Sequence, residues 1–266
     1  MSLGTMGLIH QFKGKITGQA LKLLSQEGQE EAVKKYIPVL LRFLTTYFRL
    51  KIEGLDYIPK KGPAIIVANH SGVTALDAVL LGHLIYQHKL RVPRIIAHRL
   101  WFAQSRVGHL ARMMGLVEAN KEVAGEHLKK GQLIILFPEG EAGNFKPTSK
   151  AYHLREFKRG FVRLALQLKV PVIPVAIVGA EEANINLREI KTLKESLGIT
   201  IPLPLNIVPL PSKWHMRIMA PPKWSVDPEF TMAGDDPRMK VLAHRVRKNI
   251  MHEIHKMVIE RGGAFI

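Results

Sequence analysis

Apolar residues in the first fifty positions recur at helical spacing, and beyond them the pattern shortens. Between positions 8 and 24, Leu8, Phe12, Ile16, Ala20 and Leu23 return every three or four residues, with Lys13, Lys15 and Lys22 in between. An acidic turn is expected at Glu27 to Glu31. A second helix should then run through Tyr47, kinked or restarted at Pro38, where the amide donor is missing. Past this point short apolar runs at 64–68, 94–97, 133–137, 172–178 and 215–219 alternate with longer amphipathic stretches. Such alternation predicts an α/β fold with a mostly parallel central sheet flanked by helices, prefaced by an edge strand at 49–53. The chain divides on this basis into an N-terminal helical segment, residues 1–48, and a sheet domain, residues 49–266. Residues 201–211 include Pro202, Pro204, Pro209 and Pro211, which predicts an extended loop that lines an apolar groove or covers the core.

Composition changes this picture in three ways. With 266 residues, 47% hydrophobic and 23% charged, the chain has ample apolar surface for a folded core. Lys and Arg total 39 against 22 Asp and Glu, a formal charge of +17. That excess points to a polyanionic partner: nucleic acid, an anionic membrane face or phosphorylated ligands. Nucleic-acid modules interleave basic residues with stacking aromatics or show zinc-finger, zipper or RNA-binding signatures; none occurs here, and no nucleic-acid partner is expected. The chain has no Cys, which excludes disulfides, thiolate nucleophiles and Cys-ligated metal. His252 and His255 read as an exposed helix face, and no metal site is expected.

No run approaches the roughly 18 apolar residues of a spanning helix. The lysines within the first 24 residues also argue against a signal peptide. The expected location is cytoplasmic, peripheral on the inner face of the membrane. Residues 8–24 fit both a helix lying in the headgroup layer and an ordinary helix packed on the core. Gly14 and Gly18 weaken either reading.

Candidate chemistry clusters at two strand ends, where α/β folds place their ligands. Asn69-His70-Ser71 follows the run at 64–68, and Asp77 lies seven residues beyond His70. On a regular helix that separation returns to nearly the same face, so the carboxylate can hold one imidazole nitrogen and leave the other as a base toward a hydroxyl. No Gly-x-Ser-x-Gly elbow is present, and Ser71 is badly placed as a triad partner for its neighbour. The bland alternative makes His70 a brace at a helix start and Asp77 a surface acid. Phe137-Pro138-Glu139-Gly140 follows the four apolar residues Leu133 to Leu136, and Glu139 there suits a polyol hydroxyl or a neighbouring basic residue. Neither a phosphate-binding Gly-Lys-Ser/Thr loop nor Gly-x-Gly-x-x-Gly occurs. Arg155, Arg159 and Arg163, four apart, are expected on one helix with Lys158 beside them, a candidate face for phosphate or an acidic carrier protein.

Taken in order, Asn-His-x6-Asp, Phe-Pro-Glu-Gly and Val170-Pro171-Val172-Ile173-Pro174-Val175 resemble the glycerolipid and lysophospholipid acyltransferase superfamily. The resemblance covers about 49–219, and 211–214 also looks like a bacterial branch of it. It implies a glycerol-phosphate acyltransferase-like fold and transfer of a fatty acyl chain from acyl-CoA or acyl-carrier protein to a lipid hydroxyl. No cofactor beyond that co-substrate is implied. His70 would be the general base and Asp77 its orienting partner. Glu139, Gly140, Lys158 and Arg159 would contact the acceptor, while backbone amides at Ser71 and Gly72 would meet the oxyanion. Expected partners are the anionic membrane surface, the acyl thioester and the acceptor lipid.

Three features depart from the commoner family pattern. Six residues separate His70 from Asp77 where four are usual, as in the branch similar to mono- and diacylglycerol acyltransferases. Glu141-Ala142 replaces the Thr-Arg that often follows Pro-Glu-Gly. Asn120 or Lys121 stands where an arginine is common. The missing arginines argue against a phosphorylated acceptor. The rival classes are a non-enzymatic basic protein that binds a membrane surface or nucleic acid, and an acyl thioesterase.

Overall fold

The computed structural model describes residues 26–71, 74–190, 201–206, 208–227 and 237–265. The stretch at 8–24 and Gly72 lie outside the described residues. Within them, helix α1 (Gln26–Tyr47) precedes strand β1 (Lys51–Glu53), β2 (Ala64–Ala68), α2 (Leu76–Lys89), β3 (Arg94–Ala97), α3 (Ser105–Met113) and β4 (Leu116–Glu118). Next come α4 (Lys121–Lys129), β5 (Leu133–Leu136), α5 (Glu141–Asn144), α6 (Gly160–Leu168), β6 (Val172–Val178), α7 (Ala180–Ala183) and β7 (Asn186–Ile190). The order closes with β8 (Ile201–Pro204), β9 (His215–Ile218), α8 (Lys223–Val226) and α9 (Arg238–Arg261).

Seven strands form one sheet in the order β1-β9-β6-β2-β5-β3-β4, and every pair in it is parallel except β6 with β9. Period-two alternation sends successive side chains to opposite faces. Ile66, Ile135, Ile173, Val175 and Ile177 meet α1 and α2 residues such as Leu41, Leu80 and Leu81. Ile65, Val67, Ile134, Val172 and Val178 meet Phe161 and Val162 of α6 and Val246, Ile250 and Ile254 of α9. Strand β2 is therefore buried on both faces along its whole length, which is why it reads in sequence as an unbroken apolar run.

Local differences from expectation have local causes. Glu27 to Glu31 is not a turn: α1 runs through it and continues past Pro38 to Tyr47. Packing of Ile37, Leu41 and Leu44 on the core holds the helix across the missing amide. The edge strand starts at Lys51 because Arg49 has φ 45°, a left-handed turn out of α1. Part of 201–211 is strand, since β8 pairs antiparallel with β7 in a separate two-stranded ribbon. Pro202 and Pro204 are tolerated on such an edge. The arginine series does not share one helix. Residue 155 lies in an extended segment ahead of α6, pinned by Arg155 N–H to Glu139 Oε2 at 2.6 Å and Lys158 N–H to Pro138 O at 3.1 Å. Guanidinium bonds from Arg247 to the carbonyls of Leu154 and Arg155 hold it from the other side.

Candidate active site

The carboxyl ends of β2 and β5 are hydrogen-bonded neighbours, so the segments that leave them face the same cleft. Asn69 ends β2 and clamps it to β6, donating from Nδ2 to Ile177 O at 2.9 Å and accepting Ile177 N–H at 2.8 Å. The chain then turns, and the next residue presents the imidazole. His70 Nδ1–H donates to Asp77 Oδ2 across 2.7 Å, with the Asp77 side chain wholly buried and that of His70 14% exposed. Helix α2 begins only at Leu76, so this pair does not come from two turns of one helix as the spacing suggested. A loop instead folds back over the helix start. Asp77 also accepts Ser71 N–H on Oδ2 at 2.9 Å and Ala78 N–H on Oδ1 at 2.8 Å. Three donors on one buried carboxylate fix its position and satisfy its charge.

The Ser71 amide is thereby consumed. It cannot serve as the expected oxyanion donor, and the Ser71 hydroxyl is buried with no partner within hydrogen-bond reach. With Nδ1 held as a donor, the neutral imidazole keeps its lone pair on Nε2. Phe137 stacks on the ring at a centroid distance of 4.2 Å and an interplanar angle of 28°. That contact escaped the sequence reading, although the residue stands inside one of the motifs.

Glu139 belongs to the same cluster, and of the two expected neighbours, a polyol hydroxyl or a basic residue, the structure brings the basic one, Lys146. The Glu139 side chain is fully buried. Oε1 accepts His70 N–H at 3.1 Å and Oε2 accepts Arg155 N–H at 2.6 Å. The carboxylate thus braces two backbone segments. Gly143 makes room for it, because a Cβ there would sit 2.5 Å from Glu139 Cβ. Gly140 has φ 62°, a conformation that favours glycine, and a Cβ there would meet Lys158 Nζ at 3.4 Å.

Lys158 and Arg159 are exposed at the start of α6. With Phe157, Gly160, Arg163 and Lys240 they line an open pocket of about 530 Å³, adjacent to the Pro138-Glu139-Gly140 turn. Four cations round one cavity create a strongly positive local field. On the other side of Glu139 lies Lys146, 2% exposed at its side chain, whose Nζ is 2.7 Å from Glu181 Oε1 and 3.9 Å from Glu139 Oε2. Burial pushes the Glu181 carboxyl up to about 7, against the opposing pull of Lys146. Neither Lys146 nor Glu181 carried a signal in the sequence. Among the described residues no cluster of three His, Cys, Asp or Glu side chains could hold a metal, and His252 and His255 are exposed on α9.

Residues 49–178 match the acyltransferase family. A Mycobacterium tuberculosis protein described as uncharacterized is 34% identical over 240 residues, spanning 86% of this chain and 67% of that protein. The human "DGAT1/2-independent enzyme synthesizing storage lipids" is 27% identical over 125 residues, 47% of this chain and 38% of that one. In fold the chain is similar to the Thermotoga maritima 1-acyl-sn-glycerophosphate (LPA) acyltransferase PlsC. That match has a TM-score of 0.56 and 22% identity, over 92% of this chain and 88% of the other.

Proposed function

The chain belongs to the glycerolipid and lysophospholipid acyltransferase superfamily, and from that premise we propose that it moves a fatty acyl chain from an acyl-CoA or acyl-carrier-protein thioester to the hydroxyl of a glycerolipid or lysophospholipid. The observation that carries this reading is the 2.7 Å bond between His70 Nδ1 and the buried Asp77 carboxylate at the mouth of the β2 turn. His70 Nε2 takes the proton of the acceptor hydroxyl as that oxygen attacks the thioester carbonyl. The tetrahedral adduct collapses, the C–S bond breaks, and the imidazolium returns its proton to the departing sulfur. Asp77 holds the ring and stabilises the transient cation. Transfer is direct, with no acyl-enzyme needed.

Lys158 and Arg159 are placed to meet the anionic part of a substrate. Such a pocket suits either a lysophospholipid phosphate or the phosphates of coenzyme A. The relatives' names point both ways, toward storage lipid in one case and lysophosphatidate in the other. One assay separates the possibilities. Purified protein is incubated with a long-chain acyl-CoA or acyl-carrier protein and a panel of lysophospholipids, monoacylglycerol and diacylglycerol, and an acceptor-dependent ester is the expected product. Hydrolysis of the thioester without acceptor dependence would make it a thioesterase. Salt-sensitive lipid binding with no thioester consumed would leave a binding protein.

Peripheral attachment to an anionic bilayer is part of the same proposal. No helix among the described residues is long and apolar enough to cross a membrane. Tyr36, Val39, Leu40 and Phe43 are nevertheless exposed on α1, at the i, i+3, i+4, i+7 spacing of a single stripe. Lys35 and Arg42 flank it, and the net charge of +17 favours an acidic headgroup layer. Each large apolar side chain withdrawn from water contributes roughly 1.5–3 kcal/mol. Val39→Glu combined with Phe43→Glu should therefore cut partitioning onto phosphatidylglycerol-containing vesicles by at least about tenfold in a sedimentation assay. Unchanged partitioning would rule out this face.

A further inference from the structure

The buried cation next to the site has no place in the chemistry just described. We propose that Lys146 is a positioning residue: held between Glu139 and Glu181, it keeps the Glu139 carboxylate in the orientation that fixes the backbone of His70. This role rests on the acyltransferase reading of His70.

The linkage is continuous. Lys146 Nζ lies 3.9 Å from Glu139 Oε2, and the other oxygen of that carboxylate accepts the His70 amide at 3.1 Å. All three charged side chains are at most 4% exposed. Glu181 is itself anchored, accepting Tyr152 N–H at 2.9 Å. Glu139 cannot retreat, since Gly143 is packed directly against it. Two buried carboxylates share one ammonium, which offsets only one of the two negative charges when both are ionised. Without it, Glu139 and Glu181 compete for one buried negative charge and either can take up a proton, whereas removing the cation together with Glu181 leaves Glu139 as the one anion. Glu181 is the anion that can be spared: it meets Lys146 and the Tyr152 amide rather than the His70 backbone, and burial already pushes its carboxyl up to about 7. Glu139 cannot be spared, because it alone reaches the His70 backbone. The chain brings these groups from three separate places, the Glu139 turn, the segment after α5 and the short helix α7.

The test compares Lys146→Met, Glu181→Gln and the double variant in the acyl-transfer assay, with kcat expressed per folded molecule. Lys146→Met should lower kcat by about 10- to 100-fold with KM for both substrates nearly unchanged. Glu181→Gln should stay within about threefold of wild type. Lys146→Met/Glu181→Gln should recover most of the lost kcat. A lysine that served stability alone would reduce the folded fraction and leave kcat per folded molecule intact, and that result would overturn the proposal. Should Lys146→Met fail to fold, the double variant decides: kcat near wild type supports the role, and kcat that stays 10-fold or more below it overturns the role. Absence of ester from the wild-type protein would refute the acyltransferase reading and this role together, while an active wild type with an unaffected Lys146→Met would refute the role alone.

Discussion

His70→Ala is expected to lower acyl transfer about 10³- to 10⁴-fold while the protein remains folded and still partitions onto lipid. Loss of a positioned general base typically removes 10² to 10⁴ of rate. The upper part of that range applies here because no neighbouring group can substitute. The Glu139 carboxylate is committed to two backbone amides, and Asp77 is buried behind the ring. The structural cost is small. Asp77 keeps two of its three donors, Ser71 N–H and Ala78 N–H, and what is lost is one hydrogen bond and a stacking contact with Phe137. Together these come to about 1–2 kcal/mol. Such a loss shifts the melting temperature of a protein this size by only a few degrees. Turnover of the folded variant within tenfold of wild type would remove His70 from the role of base. Loss of ester with thioester hydrolysis unchanged would show that some other group activates water.

Much of the scaffold around this histidine is legible in the sequence, and for a physical reason. Strands covered on both faces must be apolar at every position, so Ala64–Ala68 and Val172–Val178 stand out as runs with the bounds the structure shows. Strand β4 has three residues, too few for any period to register. The ribbon of β7 and β8 is assembled by pairing distant segments, and its prolines conceal it. The same distinction governs the site. His70 and Glu139 lie at turns after buried runs and Asp77 in the first turn of an apolar helix, positions where polar residues stand out. Lys146 and Glu181 do not, since a lysine in a loop and a glutamate in a short helix look like solvated surface until the fold buries them together. The partners of Glu139 stayed open in the sequence for a related reason. A motif marks the carboxylate without saying whether its oxygens face a cleft or a backbone.

Asp77→Asn carries the second large effect, and the hydrogen bonds around it determine the form that effect takes. The native carboxylate accepts on Oδ2 from His70 Nδ1–H and Ser71 N–H and on Oδ1 from Ala78 N–H. An amide has one acceptor oxygen and one donor group, so two orientations compete. With the oxygen toward His70 and Ser71, two bonds survive and the NH₂ faces Ala78 N–H, which retains the Ala75 carbonyl at 3.2 Å as its acceptor. With the amide turned over, the NH₂ faces two donors, and His70 must move its proton to Nε2, where it can no longer act as a base. The first orientation leaves fewer groups unsatisfied and should prevail. The tautomer is then kept, but the negative charge that supports the imidazolium in the transition state is gone. The expected result is a fall in kcat of about 10²- to 10³-fold, with KM for the acceptor nearly constant. Nitrogen-15 shifts of the His70 ring should still report a proton on Nδ1. A protonated Nε2 in that spectrum would mean that the amide had turned, and the loss should then approach 10⁴-fold, as expected for an imidazole in the wrong tautomer. Unaltered kcat would mean that the carboxylate only braces the start of α2.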